Sequence, residues 1–151
     1  MDDFESSLND LLVDTFFSIL KFESASLKSL AGMSVTIAEA HMIDCIARQN
    51  GQATVSQVAS GMQLAIPTAT ATVKKLESKG YVTKVPCEDD ARRSYIRLTD
   101  LGRRVDRAHT LFHQRMVRNI SAQLEGPEKE ILLMAIKKLS VFFGSRTKAA
   151  Q

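Results

Sequence analysis

Between Thr54 and Thr99 the chain carries a capped helical pattern, a second helical pattern opened by a proline, a lysine–glycine stop, and two strand-like runs around a polar loop. Long helical patterns lie on both sides of that stretch. The order predicts a mainly α fold with a small β-hairpin wing, a winged helix-turn-helix with long N- and C-terminal helices. Residues 1–151 read as one chain. Its lobe spans 36–99, and 4–30 and 100–146 are helices free to pair with another copy.

The elements follow from local chemistry. Residues 4–30 place Leu8, Leu11, Leu12, Phe16, Ile19, Leu20, Leu27 and Leu30 at helical spacing, and Ala31-Gly32 ends the run. Thr36-x-x-Glu39 has the form of a capping box and opens a helix through Ile37, His41, Met42, Cys45 and Ile46 that stops at Asn50-Gly51. Thr54-x-x-Gln57 repeats the logic and opens a helix that ends near Gly61. The next begins around Ala65 to Thr68. Pro67 suits a first helical turn, and Ala69, Val73 and Leu76 should pack inward with Leu64. Gly80 after Lys79 reads as a left-handed cap. Tyr81 to Val85 and Ser94 to Leu98 read as paired strands, with Pro86 ending the first and Cys87 to Arg93 between them. Thr99-Asp100 caps a helix carrying Leu101, Val105, Ala108, Phe112, Met116, Ile120 and Leu124, and Gly126-Pro127-Glu128 breaks it to start a last helix.

Composition narrows the function. The chain is 44% hydrophobic and 25% charged, ordinary for a globular domain. No apolar run approaches the ~18 residues needed to cross a membrane. The acidic start, MDDFESSLND, lacks a signal-peptide layout, so a cytoplasmic protein is expected. Net charge is +3 but unevenly placed. Residues 1–65 hold three basic and eight acidic side chains, 66–104 hold nine and five, and 105–151 hold eight and four. The positive excess begins at the second helix of the motif, which suits an anionic partner there, although a solvated mixed surface has the same charge signature.

A helix held by a partner helix across a tight turn fits the major groove of B-DNA. The outward face of the second helix would show Pro67, Thr68, Ala71, Thr72, Lys74 and Lys75, with Thr70 near its edge. Threonine hydroxyls bond several bases, and threonine and alanine methyls touch the thymine methyl. Lys74 and Lys75 suit phosphates. Arginine and asparagine are missing from the helix start, so an A·T-rich site read partly by shape is expected. Arg92 and Arg93, beside Asp89 and Asp90, sit where a hairpin tip can enter a narrow minor groove. An ordinary solvated tip is the alternative.

TVKKLESKGYVTKV, Asp90-Ala91-Arg92 and Leu98-Thr99-Asp100-Leu101-Gly102-Arg103 are together similar to the MarR family of bacterial winged-helix regulators. The resemblance covers nearly the whole chain. It implies a two-fold dimer built on the terminal helices, double-stranded DNA as partner, Arg92 as the minor-groove residue, Asp90 as its structural partner, and residues 67–75 as the reading face. Members often carry a serine near the start of the recognition helix, where this chain has Ala65-Ile66-Pro67. Glu39 to Asp44 and His109-x-x-Phe112-His113-x-x-Met116-Val117 further resemble the MarR-type repressors of fatty-acid synthesis genes. That likeness implies a repressor whose effector is a long-chain acyl group on acyl carrier protein, with His41, His109 and His113 near an effector cleft.

Other readings stay open. Cys45 reads as a small buried hydrophobe, whereas Cys87 in the wing could be a redox switch if Lys84, Arg92 or Arg93 lowered its thiol pKa. His109 and His113 share a helix face, but two histidines make no metal site without a third ligand, so no metal and no cofactor is expected. The chain has no phosphate loop, no nucleophile elbow and no HExxH, so an enzyme is not expected. A winged-helix protein-interaction module and a redox- or metal-responsive repressor are the alternatives.

Overall fold

The computed structural model describes residues 1–31, 34–87 and 93–149. Six helices and three strands follow in the order α1 (Asp3–Ala31), α2 (Ile37–Ala47), β1 (Gln52–Ala53), α3 (Val55–Met62), α4 (Ile66–Ser78), β2 (Val82–Pro86), β3 (Ser94–Leu98), α5 (Asp100–Ala122) and α6 (Gly126–Ala149). The chain divides into two compact units, Met1–Phe112 and His113–Gln151.

In the first unit, α1 is capped by reciprocal bonds: the Asp2 amide donates to Glu5 Oε2 at 3.0 Å and the Glu5 amide to Asp2 Oδ1 at 2.7 Å. Only its last turns reach the core, where Leu27 and Glu23 are buried. Phe4, Leu11, Phe16, Phe17 and Phe22 face outward. Both expected capping boxes form, Thr36 with Glu39 on α2 and Thr54 with Gln57 on α3. Met42, Ile43 and Ile46 of α2, Val58 of α3, and Ala69, Val73 and Leu76 of α4 close one core with Val82, Ile96, Leu98 and Val105. Leu64 packs half-buried against it.

Two details depart from the sequence reading. α2 ends at Ala47, and the turn through Asn50 and Gly51, both at positive φ, leads into β1. Two residues carry no periodicity, so this strand is invisible in sequence. It pairs Gln52 with Arg97 and Ala53 with Ile96, which makes a three-stranded antiparallel sheet of order β1-β3-β2. The second departure is the end of α3. Gly61 lies inside that helix, and Gln63 at φ 53° is the left-handed cap. Gly61 is small for a packing reason, since a Cβ there would stand 2.9 Å from Cys45 Sγ.

Gly80 does take the left-handed turn, at φ +77°, and a knot of hydrogen bonds sits on it. The Thr99 hydroxyl donates to the Gly80 carbonyl at 2.7 Å and accepts from the Gly102 amide at 3.1 Å. The Thr99 amide donates to the Tyr81 carbonyl at 3.1 Å. A Cβ on Gly102 would run into that same carbonyl group, with its carbon at 3.2 Å and Leu98 Cδ2 at 3.3 Å. The lysine–glycine stop and the leucine-threonine-x-x-glycine run are therefore one structure. Together they close α4, the sheet and the start of α5 on each other.

In the second unit, α6 is capped by Glu125, whose amide donates to Glu128 Oε2 at 2.8 Å. Ile131, Leu132, Leu133, Ile136, Val141, Phe142 and Phe143 are exposed along α6, as are Val117 and Ile120 on α5. No helix among the described residues is long and apolar enough to cross a membrane.

Candidate nucleic-acid interface

α4 turns Ala69, Val73 and Leu76 into the core and leaves Pro67, Thr68, Ala71, Lys74 and Lys75 exposed. α4 opens at Ile66 with Pro67 in its first turn, and its N-cap Ala65 makes no side-chain cap bond. Thr70 and Thr72 are half-buried, and each spends its hydroxyl proton on a carbonyl one turn back, at 2.8 Å on Ile66 and 3.1 Å on Thr68. What they offer outward is a methyl and oxygen lone pairs, which suits thymine methyls and base amino groups over base acceptors.

Of the wing residues, Arg93 is exposed, and its carbonyl accepts from the Cys87 amide at 3.0 Å across the hairpin. Asp89, Asp90 and Arg92 lie outside the described residues. Cys87 is half-buried; burial pushes the Cys45 thiol up, which disfavours a reactive thiolate there.

Sequence reasoning passed over the residue that holds α4 in place. Lys79 Nζ donates to both carboxylate oxygens of Glu39 at 2.9 Å and to the Ser34 carbonyl at 3.0 Å. The Glu39 side chain is 5% exposed and that of Lys79 34%. Burial pushes the Glu39 carboxyl up, but Lys79 and the Thr36 amide outweigh it and hold it below the usual carboxylate value. One carboxylate thus caps α2 and anchors the end of α4.

The histidines divide. His109 is buried and the His41 side chain is 45% exposed, with their rings 5.3 Å apart. Both Nε2 atoms meet one oxygen, Glu23 Oε1, at 3.0 Å from His41 and 2.7 Å from His109. His113 is half-buried one turn further along α5. Glu23, which the sequence reading did not single out, is the residue that joins the two histidines. Its signal was present in the sequence as a lone charge at position 23 of the apolar stripe Leu20, Leu27, Leu30.

A two-helix motif with an outward, basic-ended second helix and a β-hairpin beside it defines a winged helix-turn-helix protein. Residues 35–94 match the model of the MarR family. Over 93% of its length the chain is similar, at 29% identity and a TM-score of 0.87, to 98% of Streptococcus pneumoniae FabT, whose crystal structure is a complex with DNA. At 21% identity the chain shares its fold with a MarR family protein from Bacillus stearothermophilus (TM-score 0.69, covering 95% and 99% of the two chains). At 21% identity it also shares its fold with MepR of S. aureus in a DNA complex (TM-score 0.68, 88% and 96%). No curated protein matches the sequence. The chain thus carries a MarR-like winged helix over residues 35–94.

Proposed function

We propose that the protein is a cytoplasmic, homodimeric transcriptional repressor that binds a pseudo-palindromic, A·T-rich operator. The observation that carries the reading is the two-sidedness of α4: three buried apolar residues inward, and Thr68, Ala71, Lys74 and Lys75 outward. Small methyl-bearing side chains read thymine edges, the lysines take phosphates, and Arg93 with Arg92 serves the adjacent minor groove. The uncovered apolar faces of α1 and α6 support a two-fold dimer, which spaces its two reading helices about one DNA turn, ~34 Å, apart.

The regulated genes in this reading are those of fatty-acid synthesis, and the effector is a long-chain acyl group on acyl carrier protein. Similarity to FabT over 93% of the chain supports the gene assignment. An apolar pocket of about 330 Å³ in the second unit, lined by Val117, Ile120, Leu124, Leu132 and Leu133, has the chemistry to take an alkyl chain.

Selection from a random duplex library, followed by anisotropy titrations across salt, tests the reading. A pseudo-palindrome rich in A·T should emerge. Lys74→Gln and Lys75→Gln should each lower affinity evenly across sequences and reduce the salt slope by about one for each phosphate left unneutralised. Failure to select any duplex, or binding indifferent to salt, removes the repressor reading. Essential G·C pairs under α4 remove the A·T assignment alone.

A further inference from the structure

We propose that Glu23, His41 and His109 form a binding site for a divalent cation of the zinc class. The three side chains come from α1, α2 and α5, and the histidines are 18 and 86 residues from Glu23 in sequence. They converge on one point, since both imidazole Nε2 atoms lie within 3.0 Å of the same carboxylate oxygen. Glu23 is 2% exposed and His109 4%. Both imidazoles that meet this buried carboxylate are able to ligate a cation alongside it.

Donor chemistry chooses the ion. Two neutral imidazoles and one carboxylate form a nitrogen-rich set that suits zinc and its first-row neighbours, whereas magnesium and calcium take oxygen ligands. Around a tetrahedral ion with bonds near 2.0–2.1 Å, donor atoms stand roughly 3.3 Å apart. The observed 2.7 and 3.0 Å separations therefore need to widen by only a few tenths of an ångström. Three protein ligands leave a fourth position, as in open zinc sites. On α5, His113 follows His109 by four residues on the same helix face, the spacing by which a helix sets two histidines on one ion. The 45% exposure of His41 supplies the way in. Bound there, the ion would fasten the end of α1 and the start of α5 to α2.

The proposal concerns metal binding alone and stands apart from the DNA reading. The test uses the full-length, tag-free chain, stripped by a chelator, dialysed and titrated with Zn²⁺ alone by calorimetry. One ion per chain is expected, with an X-ray absorption spectrum that shows nitrogen and oxygen neighbours, two imidazoles and no sulfur. His41→Gln, at the most exposed of the three positions, should keep its helical circular dichroism and bind at least about tenfold more weakly. Glu23→Gln should do the same if it folds. Uptake unchanged in His41→Gln, a sulfur neighbour pointing to Cys45 or Cys87, or no saturable uptake by the parent would each overturn the site. Two imidazoles and a carboxylate would then be a hydrogen-bonded network only.

Discussion

Replacing Gly102 by alanine should unfold the knot that closes the winged-helix lobe. In a helix the change ordinarily helps, by at most about 1 kcal/mol of helix propensity in the first turn that holds Gly102. Here the new Cβ would press on the Tyr81 carbonyl, whose carbon stands at 3.2 Å, with Leu98 Cδ2 at 3.3 Å on its flank. Carbon–oxygen contacts sit at roughly 3.3 Å or more. A methyl on Gly102 falls well inside that limit to the Tyr81 oxygen, and no rotamer can move a backbone carbonyl. The strand must shift, and the Thr99 bonds to Gly80 and Tyr81 lengthen with it. Overpacking of this kind costs about 1–3 kcal/mol, and the rigid partner puts it at the upper end, so a net loss of about 2 kcal/mol remains after the propensity gain. For a chain of this size that lowers Tm by roughly 4–8 °C. Thermal unfolding followed by circular dichroism at fixed protein concentration measures it. A Gly102→Ala protein that melts at or above the parent would refute the close approach and with it the account of the motif.

Two further substitutions probe packing that the sequence did not announce. Lys79→Met leaves Glu39 buried without its cation. Breaking a buried pair costs about 3–5 kcal/mol, and the 34% exposure of Lys79 discounts this to roughly 1–3 kcal/mol by urea unfolding. The double variant with Glu39→Gln should lose less than the two singles added together, and strict additivity would mean that the ion pair does not couple α2 to α4. Gly61→Ala should be neutral or cost up to about 1 kcal/mol, because its Cβ meets Cys45 Sγ at 2.9 Å. In a Cys45→Ala background the same change should stabilise by helix propensity, up to about 1 kcal/mol. The same sign in both backgrounds would discard the contact.

Much of the lobe was legible because its signals are local. Two threonine capping boxes, Pro67 at a helix start, Gly80 at a helix end and alternating strands each act within four residues, and the structure carries all of them. Long-range partnerships were not legible. Lys79 looked like one more surface charge because Glu39 is 40 residues away, and Glu23 had no visible partner because His109 lies 86 residues on. β1 escaped because two residues cannot show a period, and the end of α3 because a left-handed glutamine, Gln63, carries no turn signature of its own. On the outward face of α4 the sequence offered threonine hydroxyls as groups able to bond several bases. Only the structure shows the Thr70 and Thr72 protons already committed to the helix backbone.

β3 is the central strand of the sheet, and its partner β1 was laid down 45 residues earlier, before either helix of the motif. The order of synthesis then matters. α4 is complete by Ser78, yet the sheet that braces it stays open until Leu98 has been made. A ribosome-bound chain halted between those points has an α4 with no finished base. The long-range pairing of Gln52 with Arg97 makes lobe formation a single late event, since distant pairings close after local ones. Truncations before residue 94 should therefore yield no half-strength lobe. They should yield an unfolded one, whose exposed core residues mark it for proteolysis.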